Sequence, residues 1–332
     1  MKNQMKDNNN PLHLIVQYYR CATPERQAEI DTCLRNNLLN PCLTSIHLLT
    51  EEPFDYSKFP NNEKIIQTII GERLTFERAF KYANETDKEG QIVWILCNAD
   101  IFFDESLKYL IDFNLRLIVF ALTRHDVQED GSIKLVDSGF AHGCQDAWIF
   151  SAPLPLDKIF ARFSLGAPGC DNRIAYELIS AGYKVTNPSI KIVARHLDLA
   201  EGRDILGKNI EYKSTMTEEN IKKGLAVPPP YQHYLYPVDQ IDPDSFEMYR
   251  ENILHLTKLG EQLLEQEQQI IQQYRQSEGD GRLLETQYRQ LDELKIQCEG
   301  LNQHLNSVLN SWSWKITKPV RKIGSFFRRM VD

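Results

Sequence analysis

The apolar run from Ile92 to Cys97, stopped by Asn98-Ala99-Asp100 and resumed by Ile101, Phe102 and Phe103, constrains the fold of this chain more than any other stretch. A short run of β-branched and aromatic residues without polar alternation reads as a strand buried on both faces, and such strands belong to parallel sheets covered by helices. Asn98 and Asp100 then stand at its carboxyl end, the edge at which open α/β sheets bind ligands. Two oxygen-bearing side chains one residue apart suit a hard cation carrying phosphate oxygens. Asn and Asp also favour plain turns, because their side chains bond to nearby backbone; the apolar residues that follow argue for more than a surface turn. Asp104 reads as an N-cap, with Glu105 opening a helix through Leu107, Leu110 and Ile111.

The flanking sequence supplies the partners of such a strand. Leu12 to Tyr18 reads as a first strand, and Pro24 and Glu25 open a helix with Ile30, Leu34 and Leu38 at helical spacing. Ser45 to Leu49 and Lys64 to Ile70 read as further strands, Leu74 to Ala83 as a helix with Arg73 at its entrance, and Leu115 to Thr123 as another strand. Strand, helix, strand within about forty residues is a βαβ unit. Beyond Leu135 a glycine-bearing loop feeds a strand from Ala147 to Phe150, and Gly166 to Asp171 leads into a helix ending at Gly182. Tyr183 to Val185 and Ile190 to Val193 read as strands, with His196 just beyond them. The alternation predicts an α/β domain built on a doubly wound, mostly parallel sheet.

Asp100, Asp146, Asp171 and His196 all follow or begin such strands and helices. On these residues and on Asn98-Ala99-Asp100, the segment from Leu12 to Asp198 resembles the GT-A fold glycosyltransferases, the nucleotide-diphospho-sugar transferases. The resemblance implies a divalent metal, Mn2+ or Mg2+, held by Asp100 and His196. The metal would neutralise the diphosphate of a nucleotide-sugar donor, with Asn98 standing where the family's motif has its first Asp. It places Asp171 as the general base that takes the acceptor's proton, which implies a hexosyltransferase-type reaction with inversion; an Asp there equally serves as a helix N-cap. It also places Gln17, Tyr18 and Glu51 near the base and ribose, Arg73 near the diphosphate, and Asp146 and Trp148 beside the sugar or acceptor, although Trp148 equally suits the core.

The chain has room for more than one domain: 332 residues, of which 42% are hydrophobic. A net charge of -8 and no basic domain exclude nucleic acid as a partner by electrostatics. Seven scattered cysteines without a Cys-x-x-Cys pair read as reduced thiols in a cytoplasmic protein. The boundaries are a polar lead-in at 1–11, the GT-A-like domain at 12–227, and a Pro-marked linker at 228–253. Gln-, Glu- and Leu-rich heptads follow at 254–310, as a coiled coil that forms homo-oligomers or as a helical hairpin, and then a tail at 311–332. That tail carries six Lys or Arg against one Asp, together with Trp312, Trp314, Phe326 and Phe327. It resembles endings on bacterial glycosyltransferases that build surface polysaccharides, and its composition suits peripheral contact with anionic lipid at the inner membrane face, hence a glycan or lipid-linked acceptor. The competing reading is an inactive GT-A-like binding or scaffold module in a polysaccharide assembly complex.

Overall fold

The computed structural model describes residues 10–111, 113–136, 143–199, 217–222, 226–232 and 235–276, with scattered positions between 289 and 303. Most of the polar lead-in, the loop at 137–142, most of the second heptad block and the whole basic tail lie outside the described residues. The chain divides into two compact units, 1–241 and 242–332.

In the first unit the strands are β1 (Leu12–Val16), β2 (Leu43–Thr50), β3 (Ile65–Ile69), β4 (Val93–Cys97), β5 (Ile101–Phe103), β6 (Ile118–Val127), β7 (Ile133–Leu135), β8 (Gln145–Ser151), β9 (Lys184–Thr186) and β10 (Ala194–His196). The helices are α1 (Pro24–Leu39), α2 (Phe76–Thr86), α3 (Cys170–Ser180) and the short α4 (Glu218–Lys222). Among the described residues the strands form one sheet in the order β3-β2-β1-β4-β8-β6-β10-β5, with β7 and β9 also paired to β6.

This corrects the expected doubly wound, mostly parallel GT-A-like sheet. Pairings β1/β2, β1/β4 and β2/β3 are parallel, but β8 runs against both β4 and β6, and β5 runs against β10. The result is a strongly curled half-barrel of mixed strand direction. The physical reason lies in the connections. A parallel partner needs a long crossover, normally a helix. The described residues between β6 and β8 hold only the short β7 and no α-helix, and between β5 and β6 Asp104 caps only a 3-10 helix, Glu105–Leu110, with its side chain accepting from the Ser106 amide at 2.9 Å. The run Val93–Cys97 is fully buried as read; burial on both faces does not fix strand direction.

Local signals set most helix ends. The Thr23 and Thr75 hydroxyls accept from the Arg26 and Arg78 amides at 3.3 and 3.2 Å, capping α1 and α2. Gly169 caps α3 with φ +83, and a Cβ there would stand 2.8 Å from the Val227 carbonyl oxygen, so both conformation and space require glycine. Phe76 and Phe80 of α2 and Ile174 and Leu178 of α3 join Trp94, Leu96, Trp148 and Phe150 of the sheet in one core cluster. Ile190 to Val193 is not a strand; the strand there is β10, which includes His196.

In the second unit α5 (Pro243–Gln276) begins within the segment read as linker. Phe246, Tyr249, Ile253, Leu256 and Leu263 form its buried stripe, and a Cβ at Gly260 would meet the Leu301 side chain at 3.5 Å, so Leu301 packs beside α5. No helix among the described residues is long and apolar enough to cross a membrane.

Asn37, buried in α1, ties that helix to the strand after the Asn98-Ala99-Asp100 turn: it donates to the Ile101 carbonyl at 2.9 Å and accepts from the Phe103 amide at 3.0 Å. Asn37→Ala orphans two buried backbone groups, and urea unfolding will show a loss of about 2–4 kcal/mol. His47, buried against His13 (3.0 Å) and Tyr82 (2.9 Å), has its pKa lowered to about 4, first by burial and then by His13. The unfolded chain takes up this proton near the ordinary value while the fold refuses it, so stability is intact at neutral pH and falls as pH drops from about 6.5 to about 4, by about 3 kcal/mol. Melting temperatures over that window will fall more steeply for wild type than for His47→Gln.

Candidate functional site

Register, more than sequence proximity, assembles the site. Because β8 is antiparallel to β4, with Cys97 opposite Ala147, the start of β8 lies beside the carboxyl end of β4. Asn98 therefore meets Asp146: its amide donates to Asp146 Oδ1 at 2.8 Å. β6 is antiparallel to β8 and ends at the same edge, bringing Arg124 and Asp126. β10 pairs parallel with β6, His196 opposite Asp126, and antiparallel with β5, His196 opposite Ile101.

The side chains form a connected network. Arg124 Nη1 donates to Asp146 Oδ2 at 2.9 Å, and its Nε donates to Asp126 Oδ1 at 3.0 Å. His196 Nδ1 lies 2.8 Å from Asp126 Oδ1, and its Nε2 lies 3.4 Å from Asp100 Oδ2. Arg26, in the first turn of α1, donates from Nη2 to Asp100 and from Nη1 to Glu29 at 2.7 Å, the Leu197 carbonyl at 3.2 Å and Asp198 at 3.3 Å. Burial pulls the His196 imidazolium down, but hydrogen bonds to Asp100 and Asp126 outweigh it and lift its pKa to about 9. Burial pushes Asp126 up, and His196 and Arg124 more than reverse that, leaving it below the usual carboxylate range. Arg124, Asp126, His196 and Asp198 also line a cavity of about 670 Å³ together with Val127 to Asp130 and Leu199. That volume suits a small-molecule site.

Asp171 stands in the first turn of α3, where Gly169 is the cap, so its carboxyl is not spent on capping. It keeps partial solvent access and accepts from Cys170 Sγ at 3.0 Å. Crowding by protein atoms, then the neighbouring Asp146 charge, raise its pKa to about 8 against the weaker pull of Cys170 and Arg124. Residues 226–232 cover the start of α3: the Gln232 amide donates to the Asn172 carbonyl at 2.8 Å, and Arg173 donates to the Pro228 and Pro229 carbonyls at 3.1 Å each.

Of the residues chosen from sequence, Asn98, Asp100, Asp146, Asp171 and His196 come together at this edge. Gln17 and Glu51 also meet, at 3.3 Å, but Gln17 bridges to the Glu72 carbonyl (3.1 Å) and the Leu74 amide (2.9 Å) and so braces a loop. Tyr18 is buried, its hydroxyl donating to Asp31 at 2.6 Å and its ring packed on Phe54, Tyr56 and Phe59. Arg73 is exposed and donates to the Leu165 carbonyl at 3.0 Å. Trp148 lies in the core, edge-on to Phe76 with centroids 4.8 Å apart.

Arg26, Glu29, Arg124, Asp126 and Asp198 escaped the sequence reading. Two signals existed: Arg124-His125-Asp126 ends an apolar strand as Asn98-Ala99-Asp100 does, and Arg26 places a cation at a helix N-terminus, where the dipole disfavours it.

The donor set does not fit a divalent metal as arranged. Asp100 already faces Arg26, both ring nitrogens of His196 face carboxylates, and among the described residues no group of three or more His, Cys, Asp or Glu side chains is placed to hold a metal ion.

Removing the Asp146 charge frees Arg124 to face Asp171, so in Asp146→Asn the Asp171 pKa will fall well below about 8. Carboxyl-carbon NMR titration reads this directly, and an unmoved value would assign the whole shift to burial.

No known protein family matches this chain, and no curated protein matches it either.

Proposed function

We propose that this protein is a glycosyltransferase that moves a sugar from a nucleotide-diphosphate donor to a hydroxyl group of a glycan, with Asp171 as the base. The observation that carries the reading is Asp171, a half-buried residue whose carboxyl is uncommitted to helix capping and is pushed up to about 8 by crowding and by the charge of an Asp146 fixed by Asn98 and Arg124. A carboxylate in water is too weak a base to help a sugar hydroxyl near neutral pH; one raised toward the working pH combines ionisation with proton affinity. The acceptor oxygen attacks the anomeric carbon as its proton passes to Asp171, and the bond to the donor phosphate breaks with its electron pair leaving on the diphosphate. Attack from the side opposite the leaving group inverts the sugar carbon.

Arg124 and His196 supply positive groups at the cavity wall, and Asp126, Glu129, Asp130 and Asp198 supply acceptors for sugar hydroxyls. The basic, Trp-bearing sequence after Asn310 supports an acceptor presented at an anionic membrane surface.

The test is transfer and hydrolysis by the full chain against a panel of nucleotide sugars. With the active donor, kcat/KM will climb as pH rises to about 8 and then level, because only the ionised carboxylate accepts the proton. Asp171→Asn will keep donor binding and lose about 10²–10⁴-fold in turnover. Near-wild-type turnover in that variant would remove Asp171 as the base, and donor binding without turnover by the wild type would favour a binding module.

A further inference from the structure

The sheet has an open edge far along the strand order from the acidic network. β3 ends that order, with β2 its only strand neighbour among the described residues. The Ile70 amide donates to the Thr50 carbonyl of β2 at 2.7 Å. Backbone groups alternate in direction along a strand, so those of Ile66 and Thr68 also face β2, while those of Ile65, Gln67 and Ile69 point away from the sheet. No hydrogen bond among the described residues reaches these outward backbone groups; Gln67 is engaged only through its side chain, which donates to the Tyr56 hydroxyl at 3.0 Å. Sheet edges are normally guarded by Lys, Pro or a bulge. Ile65 to Ile69 reads Ile-Ile-Gln-Thr-Ile, pairs with β2 without a register shift, and exposes Ile66 and Ile69 by 43% and 55%.

The segment is self-complementary about Gln67. In an antiparallel pair with a two-fold axis there, Gln67 faces Gln67 of the second copy and Ile65 faces Ile69, so every outward N–H and C=O finds a partner. The flanks match in charge as well. Antiparallel direction brings Glu63 and Lys64, which precede β3, alongside Arg73 and Glu72 of the second copy, which follow it. A parallel, in-register pairing would instead set each of these charges against its own copy. Glu63, Glu72 and Arg73 are exposed and Lys64 is half-buried.

We propose that β3 is an interface between two copies of this protein, which join edge to edge and antiparallel into one continuous sheet across a two-fold axis at Gln67. The contact is isologous and therefore closes at two copies. Main-chain hydrogen bonds hold the strands together, and the exposed Ile66 and Ile69 lose water against Thr68 and Ile65 of the second copy.

Sedimentation equilibrium of the full chain reads the association, and a cysteine placed on the axis reads its register. Wild type will sediment at twice the chain mass. Gln67→Pro will melt close to wild type, because that amide serves no bond inside the protein and edge strands accept proline at such a position, yet it will sediment as a monomer. Gln67→Cys will cross-link on mild oxidation, since facing residues of an antiparallel pair stand about 5.5 Å apart at Cα, within disulfide reach. Peptide mapping will find the two copies joined through position 67. A monomeric wild type overturns the proposal, as does a dimer that survives Gln67→Pro or gives no link at position 67, the pattern expected if the heptads alone associate. Should Gln67→Pro fail to fold, the wild-type mass and the Gln67→Cys link decide.

Discussion

Asp100, Asp126 and Asp146 lie in one network at the edge of the sheet, and a carboxylate taken out of water without a partner costs several kcal/mol. Arg26, Arg124 and His196 are what make that edge tenable: each contacts at least two acids, and each acid contacts at least one of them. The compensation is also geometric. Arg124 reaches from β6 to the start of β8, His196 from β10 to β6 and to the turn after β4, and Arg26 from α1 to that same turn. Strand ends that would repel one another are held at hydrogen-bonding distance, and the cavity beside them takes its shape from the result.

Strand direction decides which acids meet. Had β8 run parallel to β4, its amino end, with Gln145 and Asp146, would stand at the opposite edge, and Asn98 and Arg124 would face no Asp146. The mixed sheet therefore does more than depart from the expected architecture; it is the reason a residue that opens one strand can share a site with residues that close two others. The edge is further secured by side chains that substitute for backbone pairing. Asn187, buried, accepts from the Thr123 amide at 3.1 Å and donates to the Thr123 hydroxyl and the Leu235 carbonyl, tying the end of β6 to the segment after β9.

Much of the first unit was legible because its signals are local. Pro24 and Glu25 at a helix start, the helical spacing of Ile30, Leu34 and Leu38, the buried run Val93–Cys97 and Asp104 as a cap all follow from short-range chemistry. Asn98, Asp100, Asp146, Asp171 and His196 were legible as polar breaks at the ends of apolar segments, and they do converge. Strand direction was not legible: a strand buried on both faces has the same composition whether its neighbour runs with it or against it. Tyr18 and Trp148 show a second limit, since an aromatic residue at a strand end looks alike in the sequence whether it lines a pocket or fills the core. Arg26 shows a third, because its meaning depends on Asp198, a residue far along the chain that only the β10 register brings near.

Asp171 is where two general rules conflict and magnitudes must choose. A carboxylate in the first turn of a helix is favoured by the dipole, typically by about 0.3–1 kcal/mol, and that alone would hold Asp171 below the ordinary carboxylate value and leave it a feeble base. Burial and a like charge act the other way, and each pKa unit they add corresponds to about 1.4 kcal/mol. The rise to about 8 therefore exceeds anything the dipole can offset. A capping carboxylate is anchored in its ionised form by backbone amides and loses basicity; because Gly169 is the cap, and because burial and Asp146 outweigh the pull of the Cys170 thiol and Arg124, the Asp171 carboxyl stays available to a proton. Its neighbour Cys170 reinforces this, since burial drives the thiol pKa well above its ordinary value and it remains a weak donor that never competes as an anion.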